Sequence, residues 1–409
     1  MSEKQKTGYR GAFALLAALL LAAILALSLS SCGIIHVGGP EAATTTNQTQ
    51  NPETAPEAGG TSQVPAVSYP AVTLNRYLSP EIPSEAGTYA YVASAAAPSV
   101  VSIVTEAIVY DRFNGSYVES GAGSGVVCHV DRENNRTYII TNNHVVEGYS
   151  TVSVYKNDST VEYPAEVLGT DWQTDIAVLA VEGTDFTVAQ CGNSEQLMVG
   201  QQVAAVGNPL GTLGGTMTDG IVSALARELE VEGVTMTLIQ HSAPVSPGNS
   251  GGGLFNLYGQ LIGIVNAKST GTGVEGLSYA IPIDLALERA EQIMHKGYVS
   301  GTPYLGITYS TSSSGVVVSD YLYNAELEAT NQDTLKAGDI LYTLDGVAIS
   351  EVADVRKVLS SLKVGDSVTA VFYRPNRYNY LKVTVNLTVH EYVPEGLSAP
   401  ESSGDIEFN

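Results

Sequence analysis

The sequence predicts a mostly β protein: two consecutive β-barrels, a smaller α+β unit behind them and a long unstructured lead-in. Three observations carry this. Short runs rich in valine, isoleucine, threonine and tyrosine recur from Val100 to Asn266, with turn residues between them, which is the spacing of a barrel or sandwich. Apart from a short helix at Thr88 to Ala97, stopped by Pro98, only Asp284 to His295 and Val352 to Leu362 carry a helical period. A glycine-bounded hinge, Gly297 to Gly301, sets the last strand-like runs apart from the others.

The 409 residues leave room for two or three domains. Hydrophobic residues make up 44% and charged ones 15%, so most of the chain can bury a core. The formal net charge of −23 argues against a nucleic-acid partner, which needs a basic face.

The chain opens with Lys4, Lys6 and Arg10 before an apolar run from Ala12 to Leu29, the layout of an export signal about as long as a membrane span. The run ends in Leu29-Ser30-Ser31-Cys32, which resembles a bacterial lipobox. Two readings of residues 1–32 stay open, lipidation at Cys32 or an uncleaved signal anchor. Both place the body outside the cytoplasm, anchored to the bacterial cell membrane. Residues 33–84 are poor in large apolar side chains and read as a disordered tether; about 50 such residues span roughly 40 Å. Tyr69, Tyr77, Tyr89 and Tyr91 mark its end, as a flap on the chain's own body or on a neighbouring subunit.

Residues 85–299 hold the two barrels. The first takes strands at Val100–Val109, Gly125–Val130, Tyr138–Thr141, Val152–Tyr155, Ala165–Leu168 and Ile176–Val181. The second takes Gln202–Val206, Gly220–Ala226, Thr235–Gln240, Gly252–Asn256 and Leu261–Asn266. Leu285, Leu287, Ala290, Ile293 and Met294 line one face of the closing helix. Residues 300–393 form the third unit, with strands at Leu305–Tyr309, Gly315–Val318, Ile340–Leu344, Ser367–Arg374 and Leu381–Val389 around the Val352–Leu362 helix. Residues 394–409 are a polar, acidic tail. Cys128 and Cys191 sit in apolar runs and read as buried free thiols, with a disulfide left open. No spacing suggests a metal site. His36, His129, His295 and His390 have no ligand-like neighbours.

One stretch points to chemistry. Ser246-Pro247-Gly248-Asn249-Ser250-Gly251-Gly252-Gly253 places a serine among glycines, where the backbone can turn sharply and aim several N–H groups into one space, as an oxyanion hole requires. Upstream, His144 follows the strand Tyr138–Thr141, and Asp175 enters an apolar strand, a costly position for a carboxylate unless a partner satisfies it. A histidine N–H is such a partner. His144, Asp175 and Ser250 then form a candidate triad of base, orienting carboxylate and nucleophile, with the N–H groups of Gly248, Asn249 and Ser250 as oxyanion donors. The first two fall in one barrel and the serine in the other, so the cleft lies between them.

The segments TNNHVV, TDIAVL, VGNPLG, GIVSA, SPGNSGG, YAIPID and PYLGI together resemble the HtrA/Deg family of trypsin-like serine proteases. The resemblance covers about Tyr89 to Val389. It implies a chymotrypsin/trypsin-like double β-barrel followed by an α+β PDZ domain, whose Tyr304, Leu305, Gly306 and Ile307 receive a peptide C-terminus. It further implies endopeptidase activity on unfolded or mislocalised extracytoplasmic proteins, a homotrimer built through the protease domains, and no metal or cofactor. A regulatory protease for one signalling substrate and a non-proteolytic PDZ chaperone or scaffold are the alternatives. The chain departs from the family pattern at His241-Ser242, at Gly253 and in the segment Tyr321 to Lys336. His241 is a minor candidate for lining the cleft. Gly211 to Thr218 and Lys268 to Gly276 are expected either as mobile activation loops or as ordinary hairpin connections.

Overall fold

The one run of six consecutive apolar residues among the described residues, Ile176–Val181, is a strand buried on both faces. In the computed structural model, which describes residues 86–111, 115–157, 159–208, 215–267, 276–321 and 335–393, alternate side chains of one strand feed two different cores. The strand Ile176–Glu182 (β6) shows it: Ala177, Leu179 and Val181 fill the interior of the first barrel, while Ile176 and Val178 face a core shared with the second. Segments 1–32, with Cys32, 33–84 and 394–409 lie outside the described residues. So do half of Gly211–Thr218 and most of Lys268–Gly276 and Tyr321–Lys336.

A short helix, Tyr89–Ala95 (α1), is capped by the Thr88 side chain and leads through a 3-10 turn into the first barrel. That barrel is closed by β1 (Val100–Asp111), β2 (Gly115–Asp131), β3 (Arg136–Thr141), β4 (Thr151–Lys156), β5 (Glu162–Asp171) and β6, in the order β1-β2-β3-β6-β5-β4. β2 begins ten residues before the strand expected from sequence, because Gly115–Ser124 is too rich in glycine and serine to read as β. One of those glycines makes room for function. A Cβ at Gly123 would meet Val145 Cγ1 at 2.5 Å, so glycine lets the short helix Asn143–Val146 (α2) sit down on β2.

The second barrel contains β8 (Gln202–Gly207), β9 (Thr216–Val231), β10 (Val234–His241), β11 (Gly253–Asn256), β12 (Gln260–Asn266) and β13 (Ser278–Pro282). Their order β11-β8-β9-β10-β13-β12 closes by pairing of β11 with β12, and β7 (Gln190–Cys191) adds beside β12. β13 was not anticipated; a run of five residues ending in proline carries little period. The helix Ile283–Lys296 (α3) ends on Gly297 in the left-handed conformation. It buries Ile283, Ala286, Leu287, Ala290 and Ile293 in the shared core. Cys128 and Cys191 both line that core as free thiols, and burial raises the Cys128 pKa.

The third unit is a sheet in the order β15 (Ile307–Ser312), β16 (Gly315–Tyr321), β17 (Ile340–Leu344), β19 (Ser367–Pro375), β20 (Tyr380–Thr388), with β18 (Val347–Ala348) on β17. The helix Val352–Leu359 (α4) covers its core, and β14 (Pro303–Tyr304) pairs with β21 (His390–Glu391). α4 ends three residues short of the expected Leu362. The unit rests on the barrels through α4. Arg356, 9% exposed, pairs with Glu147 just after α2 and, at 3.0 Å, with Glu232 on the β9–β10 hairpin. Lys357 pairs with Glu230 at 2.7 Å. Trp172, three residues before Asp175, packs against both the shared core and the core of the third unit.

Candidate active site

β3 ends at Thr141, and the chain turns through Asn142 into α2, which carries His144 in its single turn. Two bonds fix that turn. The Asn142 side chain donates to the backbone carbonyl of Asp175 at 3.0 Å, and Asn143 N–H donates to the same oxygen at 3.1 Å.

Asp175 lies at the end of the β5–β6 turn with φ of +56°, a left-handed conformation that aspartate tolerates better than most residues. Asp171 shapes the turn, accepting from Gln173 N–H at 3.2 Å and from the Thr174 hydroxyl at 2.6 Å. Burial pushes the Asp171 carboxyl up, while Thr174, Gln173 and Arg289 pull it down. The Asp175 carboxylate is almost fully covered and takes three donors. Oδ1 accepts from the backbone N–H of His144 at 2.9 Å. Oδ2 lies 2.7 Å from His144 Nδ1 and accepts from the Asn266 side chain at 3.0 Å. A carboxylate oxygen in this pairing only accepts, which places the imidazole proton on Nδ1 and leaves Nε2 unprotonated.

Ser250 sits in the turn between β10 and β11. Asn249 N–H donates to Ser246 O at 2.9 Å, and Gly252 N–H to Asn249 O at 3.0 Å. Gly248 and Gly251 have φ of +97° and +82°. The turn is clamped from the first barrel by Ser124: its N–H donates to Ser250 O at 2.8 Å and its hydroxyl to Gly248 O at 2.7 Å. That hydroxyl also accepts from Asn208 N–H at 2.8 Å. A Cβ on Gly251 would lie 2.1 Å from Ser124 O and 2.2 Å from Thr141 Oγ1, so the turn is packed against the strand end three residues before His144. From the other side Gly251 N–H donates to Val265 O at 2.9 Å, and the next residue is the Asn266 that holds Asp175. Ser250 Oγ makes no hydrogen bond to another described residue; such bonds often tighten only once substrate is bound.

The N–H of Asn249 is committed to Ser246, which removes it from the expected oxyanion donors in this conformation. Those of Gly248 and Ser250 have no acceptor among the described residues. His241 does not line a cleft: it is fully buried between β9 and β13, and burial lowers its pKa to about 4. Sequence reasoning missed Ser124, Thr141 and Asn266. For Asn266 there was a signal, an amide closing an otherwise apolar strand. Ser124, inside Gly121-Ala122-Gly123-Ser124-Gly125, offered none.

In the third unit Leu305 and Ile307 are buried, and Gly306 between them has φ of +73°. Tyr304 is held in β14 and meets Tyr392 edge to face at 5.5 Å. β15 follows as an edge strand, paired on one side with β16.

Residues 123–264 match the trypsin-like peptidase domain family and residues 303–387 the PDZ domain family. The chain is 37% identical over 288 residues to serine protease Do-like HtrB of Bacillus subtilis, an alignment covering 64% of this chain and 61% of that protein. It is 37% identical over 295 residues to serine protease Do-like HtrA of Lactobacillus helveticus, covering 66% and 70%. It is 37% identical over 273 residues to a probable periplasmic serine endoprotease DegP-like of Halomonas elongata, covering 64% and 56%. The aligned part thus spans less than two thirds of the Bacillus and Halomonas proteins.

Proposed function

This chain belongs to the HtrA/DegP family of trypsin-like serine proteases with a PDZ domain, and from that premise we propose that it is a membrane-tethered endopeptidase of extracytoplasmic protein quality control. The observation that carries the reading is the grip of Asp175 on both the ring and the backbone of His144, beside a serine turn with two unused N–H groups.

In this mechanism Ser250 Oγ attacks the scissile carbonyl while His144 Nε2 takes its proton, then returns it to the leaving amine. Asp175 holds the tautomer and stabilises the imidazolium. The N–H groups of Gly248 and Ser250 receive the oxyanion, each donor worth about 3–4 kcal/mol in the transition state. Water repeats the cycle on the acyl-enzyme. The PDZ unit takes a polypeptide C-terminus at Leu305, Gly306 and Ile307, and the peptide adds as a strand along the free edge of β15 beside α4. The periplasmic assignment of the Halomonas relative supports an extracytoplasmic site of action, and the basic and apolar start of the chain supports an anchor. Trimerisation through the protease domain would cover an apolar patch beside α1, formed by Met198, Val199 and Ile221, which are 68%, 63% and 44% exposed.

The test is casein cleavage by the full chain beside Ser250→Ala, with and without hydrophobic C-terminal peptides. Cleavage lost in the variant supports the reading, and equal turnover in both removes Ser250 as the nucleophile. Activity that appears only with peptide would favour a gated protease for a dedicated substrate.

A further inference from the structure

We propose that the β19–β20 hairpin of the PDZ unit is a docking surface for a lipid bilayer with anionic headgroups. The inference rests on the anchored reading above. Val368, Ala370 and Phe372 of β19 and Val383, Val385 and Leu387 of β20 point into the core. The opposite face should by alternation be polar, yet it carries a row of tyrosines. Tyr342 on β17 meets Tyr373 on β19 with ring centroids 4.9 Å apart at 73°. Tyr373 meets Tyr380 on β20 at 6.4 Å and 80°. Tyr342 and Tyr380 are 52% and 63% exposed, and at the hairpin end Tyr378 and Leu381 are 86% and 56% exposed. β20 is the edge of its sheet, so nothing in the sheet shields the row.

Charge selects the partner. Residues 367–390 hold Arg374, Arg377 and Lys382 and no acidic residue, in a chain of net charge −23. Arg374 is neutralised by a two-pronged pair with Asp339, at 2.7 Å on each prong. Arg377 and Lys382 have no carboxylate partner among the described residues. Lys382 stands directly opposite Tyr373 in the ladder, and the Arg377 guanidinium lies 5.8 Å from the Tyr378 ring centre. Tyrosine suits the headgroup layer, with its ring in apolar surroundings and its hydroxyl wet. Each basic residue near an anionic surface adds about 1 kcal/mol. Two would be weak for a free protein, but a tether of some 50 residues raises the effective concentration to about millimolar. The acidic remainder of the body is repelled by the same surface, which confines contact to this hairpin. A glycan would need open ring faces for flat stacking, and edge-to-face contacts within the row occupy several of them.

The test uses the full chain reconstituted in vesicles of phosphatidylcholine with or without phosphatidylglycerol. The natural chain has one tryptophan, Trp172, so Tyr378→Trp in a Trp172→Phe background reports from the hairpin end. Its emission should shift to the blue and be quenched by brominated lipid only when phosphatidylglycerol is present. Arg377→Glu with Lys382→Glu should cut that population at least about twenty-five-fold, roughly five-fold per basic residue lost, and high salt should mimic it. Resistance to alkaline extraction reads the anchor separately. Extraction-resistant protein without quenching overturns the hairpin proposal and spares the anchor. Quenching of extractable protein supports the hairpin and removes the anchor. Retention on peptidoglycan that depends on Tyr380, with no quenching, overturns the bilayer in favour of a glycan.

Discussion

Asp175 holds His144 at two atoms, through Oδ1 to its backbone N–H and through Oδ2 to its ring. One carboxylate therefore sets both where α2 begins and which way the imidazole faces. Replacing it by asparagine preserves the shape but presents an N–H where an acceptor is needed, which favours the wrong tautomer. Asp175→Asn should lower kcat by about 10⁴-fold with little change in KM, measured on a fluorogenic peptide at neutral pH. A loss below ten-fold would mean that this pair does not orient the base.

Asn266 reaches across from the second barrel to the same Oδ2, while its own Oδ1 is buried without a partner. Asn266→Leu removes a favourable bond and an unsatisfied acceptor together. Global stability should stay within about 1 kcal/mol, while kcat falls about ten-fold, the loss of one charge-assisted bond of roughly 1.4 kcal/mol. A variant destabilised by several kcal/mol would make Asn266 a structural residue.

The fold and the His144–Asp175 pair were legible because they rest on local signals. Ile176–Glu182 is apolar on both faces, and Asp175 immediately before it is a carboxylate with nowhere to go but a partner. The Gly248–Gly253 turn announces itself through glycine. Ser124 was invisible because its role is entirely tertiary: it lies 124 residues from Gly248, in a segment whose glycines hide the strand. Asn249 was misjudged for a related reason. Whether an N–H faces a ligand or its own turn depends on one dihedral, which composition does not encode. His241 was drawn toward the cleft by its sequence distance to Ser250, but a bulged register in β10 leaves it in the interior.

Among the described residues, Ser124 is the side chain that hydrogen-bonds the Ser250 turn from the opposite barrel. In Ser124→Ala, Gly248 O and Asn208 N–H are both left buried without this partner, a cost of about 2–4 kcal/mol. The turn that carries the Gly248 donor loses its clamp. We expect a kcat loss of ten- to a hundred-fold, part of the value of one oxyanion donor, and weaker binding of a boronate transition-state analogue. Unchanged analogue affinity would show that the clamp does not position the donors.

Arg356 is the hinge of charge between the PDZ helix and the barrels, shared by Glu147 and Glu232. Glu147, just after α2, also accepts from the side chain of Asn143 in α2 at 3.3 Å. Arg356→Ala leaves two carboxylates facing each other, one at the end of the histidine helix. Both remaining carboxylates keep access to solvent, so the cost should be about 1 kcal/mol, and hydrogen exchange should rise in both α4 and residues 143–147. Exchange confined to α4 would mean that the third unit rests on the barrels without holding α2.

His241 offers a test by pH. It is fully buried. Tyr279 and Ala243 lie beside it, but neither ring nitrogen has a well-formed hydrogen bond among the described residues. Its pKa falls from 6.5 to about 4 because burial opposes the charged form. The unfolded chain takes up this proton near pH 6.5 and the folded chain only near pH 4. Its contribution is therefore fully present above pH 6.5, declines as pH falls through that window, and is lost below about pH 4. The expected loss is on the order of 3 kcal/mol. His241→Leu abolishes the proton uptake and both unpartnered nitrogens. Urea unfolding at pH 7 and pH 4.5 should show a flatter pH dependence in the variant than in the natural protein. Since β10 runs directly into the Ser250 turn, the variant should also retain peptidase activity after acid exposure that inactivates the natural protein. Parallel pH profiles for the two would place the acid-labile group elsewhere, and not at Asp171, whose carboxyl is raised by burial and so favours the folded state as pH falls.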